Sequence, residues 1–388
     1  MLVWLVSMIF YWSGAPYLGL VALVAAVMYE LFVGGRVRLG RLLLALGYVL
    51  LICCLSLKAS HDFGLEMGVD DILTLAHLFV LALCFSILKI NVRRGRAVLL
   101  FITVFSVVSF LMALIGRYVL TEFFYYQSAV GDYRYEFIFA EPSFLAVYCS
   151  ILLYLILFEL DGLSRAQLML LSVLLVGSIL LTASGSGIAL LMLIFVLKSG
   201  LSVKRFLMLF MLAPLIYMVL PPSVTNIVEH RLGRAVSGNI SPSTRIRFIA
   251  PAVAVNNVSE NSPLFGYGVS TFDDYMLDNY SEFYVFHKID KDGQFIRNTN
   301  IDNVWACVMF ATGFVGLVFV LFVCIFKIVS REVDFKLMSF VFFSFIFVGA
   351  FIHPFFVGFL FGRFGIEARV LEVASEVSYR RASIGVGV

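Results

Sequence analysis

Long apolar runs, repeated along almost the whole chain, constrain its fold more than any other feature. A bilayer core about 30 Å thick needs about 20 apolar residues per helix, fewer where flanking residues sit in the interface. The runs that meet this criterion lie near residues 2–13, 17–33, 42–57, 72–90, 97–116, 143–160, 168–183, 186–197, 206–220, 303–326, 336–352 and 354–366. The sequence therefore predicts an all-α, polytopic integral membrane protein with about 12 transmembrane helices and a long, partly helical outer loop.

The composition excludes other large classes of protein. The apolar share is 62% and the charged share 14%, whereas soluble domains have roughly 45–50% and about 25%. The basic residues are scattered between apolar runs, so nucleic-acid binding is not expected. All six cysteines fall inside those runs, which indicates small buried side chains rather than a disulfide or metal framework. The first run lacks a basic leader and a small-residue cleavage site, which favours a retained helix over a signal peptide.

The distribution of Lys and Arg over the short connections predicts the orientation. Fourteen lie on one side, namely Arg36, Arg38, Arg41, Lys89, Arg93, Arg94, Arg96, Arg165, Lys198, Lys204, Arg205, Lys327, Arg331 and Lys336. Only three, Lys58, Arg117 and Arg134, lie on the other side. Because short cytoplasmic loops carry the excess of positive charge, the fourteen and both termini are predicted to be cytoplasmic.

The chain then divides into three parts. Residues 1–220 hold transmembrane helices 1–9 together with an outer loop at 117–142. Residues 221–302 form the large outer loop, and residues 303–388 hold helices 10–12 and a cytoplasmic tail. Both outer loops have room for a site, so function is expected there.

The first loop combines charged residues with many aromatic ones. Flat aromatic faces beside carboxylates and guanidinium groups suit a carbohydrate groove, while an interfacial aromatic belt is the alternative. At the end of this loop, Glu141 precedes Pro142, a residue suited to the first turn of a helix. Glu141 is therefore predicted to cap that helix, either as a structural cap or as a general base.

The large loop begins basic and ends acidic. The stretch SPSTRIRFIAPAVAVNN predicts a helix capped by Ser243, with Arg245 and Arg247 in its first turns. Orphan N–H groups and guanidinium forks together bind phosphate or pyrophosphate well. The alternative is a basic face toward solvent or lipid headgroups. No metal-ligand spacing is present, although a dication between Asp273 and Asp274 is left open.

Four motifs in order resemble the Wzy-type O-antigen polymerases and the related O-antigen ligases. They are AEPSF at 140–144, STRIR at 243–247, SPLFGYGVSTF at 262–272 and DNVWACVMFATGFVGL at 302–317. The resemblance covers roughly residues 115–320. It implies a polytopic inner-membrane glycosyltransferase with a long periplasmic loop late in the chain and cytoplasmic termini.

Individual residues of this sequence match individual residues of the family's motifs. Glu141 matches the acidic residue of the polymerase-like EPS motif. Arg245 matches the arginine before the PLxGxG stretch, and Gly266 and Gly268 match the glycines of that stretch.

Two positions depart from the ligase pattern. Asp302-Asn303 aligns with the His-Asn pair of typical ligases, and Ala311 stands where many ligases have Glu. Both departures favour a polymerase.

The resemblance implies transfer of a growing glycan from undecaprenyl pyrophosphate to a lipid-linked repeat unit, with no cofactor, metal or nucleotide. The catalytic residues are predicted to be Glu141, Arg245 and Asp302. Arg134, Arg247, Arg297, Asn303, Tyr267 and Arg117 are predicted to bind substrate. The expected partners are the lipid-linked repeat units, membrane lipid and a chain-length regulator protein.

Two alternatives stay open. An O-antigen ligase would carry out the same chemistry with lipid A-core as acceptor. A flippase or other transporter would place ionisable groups at the midplane of the membrane, where only His77 is predicted to lie.

Overall fold

The computed structural model describes residues 1–32, 39–63, 69–90, 96–119, 125–127, 133–160, 162–199, 250–268, 287–289, 295–297, 303–330, 332–348 and 353–364. The helices are α1 (Leu2–Trp12), α2 (Pro16–Phe32), α3 (Leu39–Phe63), α4 (Val69–Ile87), α5 (Arg96–Val119), α6 (Pro142–Tyr154), α7 (Arg165–Leu181), α8 (Gly185–Ser199), α9 (Ala250–Asn261), α10 (Val304–Val329), α11 (Phe335–Ser344) and α12 (Pro354–Phe361). A π-helical turn, Leu155–Glu159, follows α6. The prediction of an all-α fold is confirmed.

Short strands form three two-stranded pairs that the sequence did not predict. They are β1 (Lys89–Ile90), β2 (Tyr125–Gln127), β3 (Tyr133–Tyr135), β4 (His287–Ile289), β5 (Phe295–Arg297) and β6 (Arg363–Phe364). The β2–β3 and β4–β5 pairs are antiparallel, and β1 pairs in parallel with β6. Each strand has two or three residues, so these pairs tie loops together without changing the helical class.

Four segments are long and apolar enough to cross a membrane by themselves: Leu39–Lys58, Arg96–Ile115, Pro142–Glu159 and Val304–Val329. Helices lie in the other predicted spans as well, except that 206–220 falls outside the described residues. Several of these are shorter than a bilayer core requires. The count of about twelve spans therefore stays a prediction, as does the division of the chain into three parts.

Helix α6 lies at the centre of the bundle, because it is apolar on every side and all its residues except Phe144 are buried. Helices α7 and α8 pack against it. Helix α2, in contrast, exposes large apolar side chains such as Tyr17, Val21 and Phe32. Exposed side chains of this kind suit contact with lipid tails. Helix α2 therefore lies at the periphery of the bundle and α6 at its centre.

A buried ionic cluster ties three helices together at the end of α10. Lys327 is 3% exposed, and its Nζ donates to the carbonyl oxygen of Gly362 over 2.7 Å. The same Nζ lies 3.5 Å from Glu332 Oε2, and Glu332 also pairs with Arg41 of α3. A buried charge is tolerated only with such partners, so the cluster fixes how α3, α10 and the residue after α12 meet.

Candidate functional site

Helix α10 is broken in its interior at Gly313. This residue has φ 58° and ψ −155°, which is not helical, and it divides the helix into Val304–Thr312 and Phe314–Val329. A break leaves backbone N–H and C=O groups without helical partners. Inside a membrane such groups need partners from the protein, because lipid offers none.

The segment 262–268, which belongs to the large loop, supplies these partners. Four backbone hydrogen bonds join the two: Tyr267 N to Phe310 O (2.7 Å), Gly268 N to Ala311 O (3.0 Å), Phe314 N to Pro263 O (2.9 Å) and Val315 N to Leu264 O (3.2 Å). The loop therefore donates to the last carbonyls of the first half-helix and accepts from the first amides of the second half.

The glycines of this segment are required by the close approach of two backbones. Gly266 and Gly268 have φ of +67° and +81°, where side chains other than hydrogen are strained. A Cβ on Gly266 would clash with the carbonyl oxygen of Phe310, and one on Gly268 would lie 2.7 Å from Cα of Ser56. The PLxGxG pattern thus has a structural cause, namely the fit of this segment between α3 and α10.

Tyr267 and Asn303 are both predicted to bind substrate, and both make hydrogen bonds with the backbone of α10. The Tyr267 side chain is completely buried and stacks on Phe310, with ring centroids 5.1 Å apart. Asn303 caps α10, because its Oδ1 accepts from the amides of Trp305 (3.0 Å) and Ala306 (3.2 Å). Asn303 is partly exposed. Its predicted contact with substrate would come from Nδ2, the nitrogen of the side-chain amide.

Glu141 lies at the N-terminus of the central helix α6, as predicted. Its backbone is extended, at φ −145° and ψ 145°, but its carboxylate makes no capping hydrogen bond. Instead, Glu141 Oε2 accepts from the hydroxyl of Ser143 over 3.0 Å, and the side chain is partly exposed. The carboxylate therefore does not cap α6 through a hydrogen bond, and its role as a general base stays a prediction.

An aromatic cluster holds the chain just before Glu141. The amide of Ala140 donates to the carbonyl oxygen of Trp12 over 2.9 Å. The Trp12 ring stacks on Phe144 at 6.0 Å and lies 4.2 Å from the ring of His353. These contacts fix Glu141 between the ends of α1, α6 and α12. Sequence reasoning missed Trp12 and His353 at this place, because both lie far from Glu141 in the chain.

Two aromatic residues of the first loop point into the protein. Tyr135 and Phe139 are almost fully buried. The ring of Phe139 packs on Tyr148 of α6 at 5.4 Å. These two residues belong to the core, which is neither the predicted belt nor the predicted groove.

The remaining predicted site residues lie wholly or partly outside the described residues. Arg245, Arg247 and Asp302 lie outside the described residues. Arg117 lies in α5, Arg134 on β3 and Arg297 on β5, but their side chains are outside the described part. The predicted cap at Ser243 and the acidic pair Asp273 and Asp274 also fall outside it.

Residues 170–321 match the model of a family described as O-antigen ligase. The matched stretch includes α9, the segment 262–268 and the break in α10, while Glu141 precedes it. No curated protein and no solved structure matches the chain.

Proposed function

We propose that the chain is an O-antigen polymerase, because residues 170–321 match the model of a family described as O-antigen ligase. It would transfer a growing glycan from undecaprenyl pyrophosphate to a lipid-linked repeat unit on the periplasmic face of the inner membrane. The observation that carries this proposal is the carboxylate of Glu141, which is partly exposed and not used as a helix cap.

The proposed reaction needs one proton acceptor and one means of neutralising the leaving group. An acceptor hydroxyl oxygen bonds to the anomeric carbon while the bond from that carbon to the pyrophosphate oxygen breaks. Glu141 takes the proton of the hydroxyl, a role worth about 10²–10⁴ in rate. Arg245 and Arg247 stabilise the departing undecaprenyl pyrophosphate. The glycosyl pyrophosphate itself supplies the free energy, so no nucleotide enters the scheme.

The residue at position 311, Ala311, favours a polymerase over a ligase. Many ligases have Glu there, whereas Ala311 is 3% exposed and packs where Gly268 donates to its carbonyl oxygen. A carboxylate at this position would be buried, which is costly without a partner. Together with Asp302 in place of the ligase histidine, this departure supports repeat-unit extension.

Deletion of the gene, followed by gel display of the surface polysaccharide, tests the assignment. A polymerase mutant should display lipid A-core capped by a single repeat unit. Bare core with lipid-linked polymer inside the cell would identify a ligase instead. Bare core with only lipid-linked single repeats would favour the flippase.

A further inference from the structure

A small basic and aromatic surface lies at the end of the bundle that is predicted to be cytoplasmic. Its central residue is Phe158, in the π-helical turn that continues α6. Glu141 and Phe158 lie at opposite ends of α6 and this turn, roughly 25 Å apart at about 1.5 Å per residue. The surface is therefore separate from the candidate site at Glu141.

Two lysine side chains converge on the ring of Phe158. The ammonium nitrogen of Lys198, at the end of α8, lies 5.1 Å from the ring centroid. That of Lys336, in the first turn of α11, lies 5.6 Å from it. Tyr154 stacks on the same ring, with centroids 4.7 Å apart and an interplanar angle of 25°. Because Tyr154 covers one face of Phe158, the two ammonium groups share the other face.

Neither lysine is paired with a carboxylate. Within the part of the chain that the structure describes, Lys198 and Lys336 form no ion pair. Glu159, next to Phe158, is buried in the protein. Asp334 caps α11, because its Oδ1 accepts from the amide of Leu337 over 2.7 Å. The carboxylates that are nearest in sequence thus leave both ammonium groups without an ionic partner.

The two ammonium groups have donors to spare for an anion. Lys198 Nζ donates to the carbonyl oxygen of Leu157 over 2.9 Å, which uses one of its three N–H groups. Lys336 is exposed, and its Nζ lies against the Phe158 ring. Two positive charges on one face of a ring repel each other, so an anion bound between them would be stabilising.

Exposed apolar side chains continue this surface toward the interior of the membrane. Phe195 precedes Lys198 by three residues in α8 and is 43% exposed, and Phe343 follows Lys336 by seven residues in α11 and is 36% exposed. These spacings place each phenylalanine on the same helix face as its lysine. A ligand held here would meet positive charge at one end and apolar surface at the other, which is the polarity of a phospholipid.

We propose that Lys198 and Lys336 bind the phosphate group of an anionic phospholipid of the cytoplasmic leaflet, with the acyl chains along Phe195 and Phe343. Basic pockets between helices on the cytoplasmic side suit such headgroups, since this leaflet carries the negative surface potential. The lipid would link the ends of α6, α8 and α11. The site goes beyond the proposed function and needs only the predicted orientation.

Binding of tritiated phosphatidylglycerol to the purified full-length protein in detergent tests the two lysines. Lys336→Gln should raise the dissociation constant about fivefold, the factor expected for one basic residue at a membrane surface, and Lys198→Gln should do the same. Lys336→Arg should keep the affinity, because it keeps the charge. Arg165→Gln removes an exposed charge at the start of α7 and should leave binding unchanged. Equal losses for Lys336→Gln and Arg165→Gln would overturn the site.

Competition separates a lipid headgroup from a free phosphate. Unlabelled phosphatidylglycerol should displace the label, whereas phosphatidylcholine at the same mole fraction should not, because its headgroup has no net charge. Inorganic phosphate should displace no more label than chloride does at the same ionic strength. Equal displacement by the two lipids would overturn the selection by charge. Specific displacement by inorganic phosphate would assign the lysines to a free anion and overturn the lipid.

Discussion

The backbone amide of Tyr267 donates to the carbonyl oxygen of Phe310 over 2.7 Å, and the two aromatic rings stack on each other. One residue belongs to the large loop and the other to a membrane helix. Through this hydrogen bond and three neighbouring ones, the loop pairs with the backbone N–H and C=O groups that the break in α10 leaves without helical partners. The loop and the helix therefore form one structural unit, and a change in either should disturb both.

Replacing Gly313 by Ala should destabilise the protein. The backbone conformation of Gly313 is one that only glycine adopts without strain, at a cost of about 1–3 kcal/mol for other residues. The new Cβ would also lie 2.6 Å from the backbone of Leu264. Thermal unfolding in detergent, followed by tryptophan fluorescence, should therefore show a clearly lower midpoint.

The matched control for this change is Gly47→Ala. Gly47 lies inside α3, and a Cβ there would meet nothing within 4 Å. Alanine in a helix interior is favoured over glycine by roughly 0.5–1 kcal/mol. Gly47→Ala should be neutral or slightly stabilising, and equal midpoints for the two variants would contradict the role assigned to the break.

Replacing Lys327 by Met should also destabilise the protein, for an electrostatic reason. The change removes the donor to the Gly362 carbonyl and one partner of Glu332. Removing one member of a buried ion pair typically costs about 3–5 kcal/mol. The free energy of unfolding in a denaturant series measures this loss. Lys58→Met serves as the control, because Lys58 pairs with Asp62 on the surface and should change stability little. Equal losses in the free energy of unfolding for the two variants would contradict the stabilising role assigned to the buried cluster.

The positions of most helices could be predicted from the sequence, whereas the break in α10 could not. Apolar runs report the length of a helix directly, and Pro142 marked the start of α6 together with Glu141 as the residue before it. Gly313, in contrast, looks like any glycine tolerated in an apolar helix. Its conformation is set by Leu264 and Tyr267, about fifty residues away in the chain. Periodicity carries no information about such non-local backbone pairing.

The same limit applies to the aromatic residues of the first loop. The aromatic residues of the first loop suggested a surface, yet Tyr135 and Phe139 are buried because α5 and α6 offer them an apolar niche.

Labelling of two introduced cysteines tests the predicted orientation. In a cysteine-free background, Ser241→Cys in the large loop should react with an impermeant reagent added to spheroplasts. Arg165→Cys, at the exposed start of α7, should react only after the membrane is opened. The reason is the fourteen-to-three asymmetry of Lys and Arg between the two sides. Reaction of both from the same side would remove the basis for a periplasmic site.

Lysine in place of Arg245 should impair the protein nearly as much as alanine does. A guanidinium group binds a pyrophosphate with two parallel hydrogen bonds, while an ammonium group keeps only the charge. Polymer length on gels, in a deletion strain complemented with each variant at matched expression, reports the effect. Full polymer length with Arg245→Lys would show that Arg245 acts only through its charge.

The proton acceptor is tested by Glu141→Gln. The amide keeps the size of the side chain and its hydrogen bond with Ser143 but cannot take a proton, so chain extension should fall by about 10²–10⁴. Because the Glu141 carboxylate makes no capping bond, thermal stability should stay close to that of the unmodified protein. Asp302→Asn is the comparison, since Asp302 is the second predicted carboxylate. Should Glu141→Gln extend chains normally while Asp302→Asn fails, the two roles are reversed. If both variants extend chains normally, neither carboxylate accepts the proton, and stabilisation of the leaving pyrophosphate by arginine carries the catalysis.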